Sequence, residues 1–120
     1  PTTHGWIGTG SGVRGIGYNY SVRQNDAQVE VYIDRGKDRD TENKEIFDTL
    51  ARSKKTIQKN FGGPLVWQRL DERRACRICK VIDHGGWRDQ ESWPKVHDKM
   101  IDAMIRLEKS FKTNVGKLKL

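Results

Sequence analysis

Apolar and polar residues alternate along two stretches in the first third of the chain. The alternation covers residues 16–23 and 29–34, and the turn-forming residues Asn25 and Asp26 lie between them. A side-chain period of two is typical of strands that bury one face, and asparagine and aspartate favour tight turns. The two stretches therefore predict a β-hairpin.

The pattern then changes to the spacing of an amphipathic helix. Apolar residues between Ile46 and Phe61 fall on one side of a helical wheel, and Asp40 or Thr41 can cap the start. The run Gly62-Gly63-Pro64 is a typical helix end, with glycine after the last turn and proline beyond it. One helix is therefore predicted up to Phe61.

The second half repeats this order. Strands are predicted over residues 65–70 and 75–82 with a charged turn between them, and a loop follows over 83–91. Ser92 and Pro94 mark the start of a second helix. Its apolar stripe, at spacings of three and four, consists of Trp93, Val96, Met100, Met104, Leu107 and Phe111.

These elements predict an α+β domain of order ββαββα, with a four-stranded, mostly antiparallel sheet and two long helices packed on one face. The domain is predicted over residues 16–112, after a glycine-rich segment over 1–15 and before a basic tail over 113–120. The residues expected to be buried include Phe47, Leu50, Ile57, Met100, Met104 and Leu107. The other face of the sheet is expected to carry Asn19, Ser21, Arg23, Glu30, Tyr32, Gln68 and Arg77.

The net charge and the composition are compatible with several classes of binding partner and do not distinguish between them. The net charge is +7, which suits nucleic acid, acidic proteins or anionic membranes. No apolar run approaches the roughly 20 residues that span a bilayer, so no membrane association is expected. The chain starts at Pro1 rather than Met, so we expect a piece of a longer protein. With two cysteines and no secretory signal, we expect a cytoplasmic protein with reduced thiols.

Basic residues concentrate on the second hairpin and beside a tryptophan that follows it. Arginine pairs with phosphate oxygens and tryptophan stacks on bases, so this pattern indicates a nucleic-acid surface. In the alternative interpretation, Trp67 and Trp93 belong to the core and the basic residues balance acidic neighbours. The candidate nucleic-acid-binding residues are Arg69, Arg73, Arg74, Arg77, Lys80, Trp87 and Arg88.

Two motifs that suggest other chemistry occur in the wrong context. The glycines of residues 10–15 match a dinucleotide-binding fingerprint, which requires a helix afterwards, whereas a strand is predicted there. Cys76 and Cys79 have zinc-ligand spacing, with His84 and His97 available, but alternation places them on opposite faces of a strand. We therefore expect no metal and no cofactor.

A cluster of carboxylates leaves a metal-dependent enzyme as a less favoured alternative. Asp34, Asp38 and Asp40 follow the second strand and could hold magnesium. The acidic-x-lysine pair of restriction-type nucleases is missing, since Glu30 is followed by Val31 and Tyr32. The alternative interpretation is a solvated loop and a helix cap. No residue is predicted to be catalytic.

Several segments resemble the bacterial and archaeal domain-of-unknown-function family 4268, from about Trp6 to Phe111. They are GSGVRGIGYNY, QVEVYIDRGKD, NKEIFDTL, FGGPLVWQRLDERRACRI and WPKVHDKMIDAMIRLEKS. The resemblance implies a domain that follows a restriction-endonuclease-like segment, and it implies no catalytic residue. Cys79 and Lys80 depart from the family's usual pattern, which further disfavours zinc.

Three functions therefore compete at the level of sequence. The favoured one is a non-catalytic accessory domain that binds nucleic acid weakly through its phosphates, with a nuclease-like domain of the same protein as a second partner. The alternatives are a protein-interaction or dimerisation module and, less favoured, the metal-dependent enzyme.

Overall fold

A computed structural model describes residues 7–23, 26–82, 91 and 93–119, with side chains from residue 10 onward. The strands are β1 (Ile7–Gly10), β2 (Ile16–Val22), β3 (Ala27–Ile33), β4 (Val66–Gln68) and β5 (Cys76–Ile82). The helices are α1 (Asp40–Ala51), α2 (Lys54–Phe61) and α3 (Trp93–Gly116). In these ranges no helix is long and apolar enough to cross a membrane.

All strands join one antiparallel sheet in the order β1-β2-β3-β5-β4. This arrangement confirms the predicted α+β class, with two hairpins whose inner strands β3 and β5 pair with each other. The glycine-rich N-terminal segment adds a fifth strand, β1, at one edge. β1 has only four residues and two of them are glycine, so alternation of apolar and polar residues does not identify it in the sequence.

The pairing register assigns each residue to a face. Ile16, Ile33 and Cys76 lie in one row, and Tyr18, Val31 and Ile78 lie in the next. Directly paired residues point to the same side of a sheet, so both rows belong to one apolar face. The opposite side, called the polar face here, carries Asn19, Ser21, Gln28, Glu30, Tyr32, Gln68 and Arg77.

All three helices pack on the apolar face, as the amphipathic patterns predict. Trp67 on β4 packs against Phe47 of α1 and Phe111 of α3, with ring centroids 6.1 and 6.0 Å apart. Its indole nitrogen donates to Gln58 of α2 at 3.1 Å. The buried core includes all six residues predicted for it, namely Phe47, Leu50, Ile57, Met100, Met104 and Leu107.

The helices differ from prediction in two places. The first predicted helix is two helices, α1 and α2, separated at Arg52 and Ser53. The left-handed residue Gly62 ends α2 as the glycine pattern predicts. The last helix, α3, continues to Gly116, four residues into the predicted basic tail. Buried Val115 explains the extension, because the apolar stripe continues one turn beyond Phe111.

Glu30 is buried on the polar face at the centre of a hydrogen-bonded cluster. Gln28 and Asn19 donate to its carboxylate at 2.9 and 3.4 Å. The Arg77 guanidinium lies 3.5 Å away and compensates its charge, although Arg77 Nε has no hydrogen-bond partner among the described residues. Hydrogen bonds and an ion pair between its own side chains therefore stabilise the centre of the polar face.

Lys44 joins α1 to the turn between β4 and β5. Its ammonium group donates to the carbonyls of Arg69, Leu70 and Ala75 at 2.7, 2.8 and 3.0 Å, and lies 3.4 Å from Cys76 Sγ. An ammonium has three donors, and here the three carbonyls can accept all of them. Leu70 has a positive φ of 54°, so this turn depends on outside contacts to hold an uncommon backbone conformation.

We expect replacement of Lys44 by methionine to destabilise the domain by about 2 to 4 kcal/mol, because three carbonyls of the turn, buried or partly buried, lose their donor. The matched control is Lys55→Met on the exposed side of α2, which we expect to stay within about 0.5 kcal/mol of wild type. Urea unfolding measures both variants. Equal stability of the two would show that Lys44 does not hold the turn.

Candidate nucleic-acid interface

Three connections meet at one end of the sheet. The row Ile16–Ile33–Cys76 marks the end of β3 and the starts of β2 and β5. The glycine loop (residues 10–15), the loop over 34–39 and the turn over 69–75 therefore lie side by side. Arg74 pairs with Asp34 across two of them, at 2.8 Å. This end carries the charged residues that the sequence singled out.

Two of the candidate arginines form ion pairs with carboxylates of neighbouring elements. Arg69 donates to both carboxylate oxygens of Asp48 on α1, at 2.9 and 3.1 Å, and also contacts Asp71. These hydrogen bonds hold the pKa of Asp48 below its usual value. Arg74 donates to Asp34. Much of the positive charge of the turn is thus balanced within the protein.

The remaining candidates do not share one surface. Arg77 lies on the polar face, whereas Lys80 pairs with Val29 and so belongs to the apolar face. Arg73 is exposed at the turn and has no carboxylate within 4.0 Å among the described residues. Trp87 and Arg88 lie outside the described residues. The structure therefore brings Arg69, Arg73 and Arg74 together and separates Arg77 from Lys80.

Asp34 organises the loop that follows β3. Its carboxylate accepts from the backbone amide of Gly36 at 2.9 Å and from Arg74. Burial raises the pKa of Asp34, but the hydrogen bonds from Arg74 and Gly36 outweigh that effect and leave the pKa lowered. Asp34 thus has partners that favour its charged form.

The carboxylates and cysteines of the two candidate metal sites do not come together in the described part of the structure. Asp40 begins α1 and Asp38 is exposed, and no group of three metal-binding side chains occurs within the described ranges. Cys76 and Cys79 are both buried, on opposite faces of β5 as their spacing predicts. His97 is exposed on α3, while His84 is outside the described residues.

The glycine loop connects two antiparallel strands. Ile16 donates to the carbonyl of Val13 at 3.1 Å, which closes a tight turn with Gly15 at φ 86°. A Cβ on Gly15 would lie 2.9 Å from the Asp34 carbonyl oxygen, so glycine is required there by both conformation and space. A strand follows the loop, as the sequence pattern predicts, and this differs from the strand–loop–helix context of dinucleotide binding.

A cleft of about 610 Å³ lies between the glycine loop and the C-terminal half of α3. Lys109 and Lys112 line it together with Ile105 and Glu108, and Tyr18 is also in its wall. Burial raises the pKa of Tyr18 to about 12, and Glu108 adds to the shift. We call this the lysine cleft.

The end of the chain supplies unbalanced positive charge beside this cleft. Residues 109–119 contain four lysines and no acidic residue, and all four lysines are exposed. In contrast to Arg69, Arg74 and Arg77, none of these lysines lies within 4.0 Å of a carboxylate in the part of the chain that the structure describes. Of these four lysines, only Lys117 and Lys119 fall in the predicted basic tail, whereas Lys109 and Lys112 fall at the end of the predicted domain. The lack of acidic residues over 109–119 was the signal in the sequence that singles them out.

The chain matches a known protein family. The family model described as a domain of unknown function (DUF4268) matches residues 1–115. No curated protein and no solved structure matches the chain.

The Asp34–Arg74 pair predicts a pH dependence of stability. The pKa of Asp34 is lowered on folding from a usual value of 3.8, so its contribution is present above about pH 4 and is lost as the pH falls through the folded-state pKa. We expect Asp34→Asn to be less stable than wild type by about 1 kcal/mol near pH 7, with the difference shrinking below about pH 4.

Urea unfolding at several pH values measures this difference. Asp98→Asn is the matched control, because Asp98 is exposed on α3 with no ion pair to a described residue. A difference between Asp34→Asn and wild type that does not change with pH would contradict the assignment.

Proposed function

Given that the chain belongs to the family described as a domain of unknown function (DUF4268), we propose that it binds nucleic acid non-catalytically, through the phosphates, at the lysine cleft. The observation that carries the proposal is the run of residues 109–119, with four exposed lysines and no acidic residue. A nucleic-acid backbone presents closely spaced negative charges, and lysines without carboxylate partners can neutralise them.

The contrast with the hairpin supports this location. Arg69 and Arg74 would have to give up hydrogen bonds to Asp48 and Asp34 before they could bind a phosphate in the same geometry. Lys109 and Lys112 form no ion pair with a described residue, so they would have to give up only bound water in order to contact a phosphate. Arg73 remains an accessory contact on the same end of the sheet.

Weak binding is expected from this arrangement. Lysine is a flexible point charge without the bidentate geometry of arginine, and Glu108 lies among the cleft residues. Non-specific phosphate binding usually has a Kd of about 10⁻⁴ to 10⁻⁶ M at physiological salt. Such an affinity suits an accessory domain that adds contacts to a nuclease-like domain of a longer protein, which is the setting that we propose.

A protein-interaction module is the second candidate. Ile101 and Ile105 are 41 and 49 % exposed and lie one turn apart on α3. Two neighbouring exposed isoleucines favour contact with another protein surface. Light scattering coupled to size exclusion tests self-association: a dimer that Ile101→Ser and Ile105→Ser together convert to a monomer would support this function, and a wild-type monomer would oppose dimerisation.

The phosphate proposal predicts a change in salt dependence. We expect Lys109→Gln and Lys112→Gln together to weaken binding of short labelled DNA and RNA, and to reduce the slope of log Kd against log salt by about 1.4 to 1.8. The loss should be similar for different sequences, because phosphate contacts carry no sequence information.

The matched control is Lys95→Gln with Lys99→Gln, which removes the same charge from exposed positions nearer the N-terminus of α3. Fluorescence anisotropy at several salt concentrations gives both slopes. Equal losses in the two double variants would point to net charge rather than the lysine cleft, and no binding at low salt would contradict the proposed function.

A further inference from the structure

A row of paired residues crosses the polar face beside the glycine loop. It runs from Gly10 through Gly17 and Tyr32 to Arg77 and Gln68. Side chains of directly paired residues lie next to one another, so the two glycines leave one side of the Tyr32 position without a neighbouring side chain from the row. A depression of about 560 Å³ occupies this region, and Tyr32, Asn19 and Asp34 line it.

Gly10 has no conformational or steric requirement for glycine. It is not among the positive-φ residues, and a Cβ built on it meets nothing within 4 Å. Glycine within a strand is unfavourable by roughly 0.5 to 1 kcal/mol relative to alanine. Gly10 therefore lowers stability although its backbone conformation does not require glycine. Because Gly10 has no side chain, the space above it stays open and extends the depression next to Tyr32.

We propose that this depression binds one nucleobase of a single-stranded nucleic acid, which stacks on the ring of Tyr32. Tyr32 is half-buried, so part of its ring is held while part remains accessible. Aromatic side chains on an antiparallel sheet provide stacking surfaces for unpaired bases. The Asp34 carboxylate and the Asn19 amide supply polar atoms in the same wall.

The glycine loop connects this depression to the lysine cleft, and the inference therefore rests on the proposed function. Gly10, Gly12 and Val13 line both spaces. A strand that crosses the loop can place phosphates near Lys109 and Lys112 and a base beside Tyr32. A base within a duplex is stacked and paired, so this mode favours single strands.

The test compares a short labelled single strand with a strand of the same length that lacks bases. We expect Tyr32→Ala and Gly10→Val to weaken binding of the base-bearing strand by about 5- to 150-fold, the range that base–aromatic stacking represents. Neither variant should change binding of the abasic strand. Gly10→Val fills open space without removing a contact, so it tests the depression with Tyr32 in place.

Two controls separate stacking from loss of fold. Tyr32→Phe keeps the ring and should retain wild-type affinity within about two-fold. Ser21→Ala changes the polar face outside the depression and should change neither affinity. Thermal unfolding of each variant checks that the domain is folded in the assay.

The outcomes distinguish this inference from the proposed function. Equal affinity of wild type for the two strands, or unchanged binding by Gly10→Val, would overturn base stacking while phosphate binding stands. A mononucleotide that binds as tightly as the strand would contradict a strand crossing the glycine loop. Failure of wild type to bind even the abasic strand at low salt would overturn the proposed function and this inference together.

Discussion

The ammonium group of Lys44 fixes the arrangement of the loops at one end of the sheet. By donating to three carbonyls of the turn over 69–75, it attaches α1 to the β4–β5 hairpin. Asn43, the preceding residue, donates to the Arg74 carbonyl at 3.1 Å and accepts from the Arg35 amide at 2.8 Å. One turn of α1 therefore positions the loop over 34–39, which lies next to the glycine loop, and the turn over 69–75 beyond it.

This attachment explains why the basic hairpin and the candidate interface are different places. Once the turn is fixed, Arg69 and Arg74 reach Asp48 and Asp34 and form ion pairs. Positive charge remains available where no carboxylate follows, along residues 109–119. The same loop arrangement brings Asp34 to the rim of the Tyr32 depression, so the surface proposed for a nucleobase is a consequence of the packing that neutralises the hairpin.

Local sequence patterns predict most of the fold. Which charged side chains remain available for binding depends instead on ion pairs between residues that are far apart in the sequence. Alternation identifies the inner strands and both faces of the sheet, and helical spacing identifies the core. Asp48, which pairs with Arg69, and Asp34, which pairs with Arg74, lie 21 and 40 residues away along the chain, and no local pattern predicts these two pairs. Lys44 was also missed, although its position three residues before Phe47 placed a charged side chain on the apolar side of α1, and this was a usable signal.

The central claim is that nucleic acid contacts the protein on both sides of the glycine loop. Amide chemical-shift mapping by NMR, during titration with a short single strand, tests it most directly. The account predicts the largest shifts over residues 10–15, at Tyr32 and over 105–116, with smaller changes over 69–75. Shifts confined to the hairpin turn, or absent from the glycine loop, would contradict it.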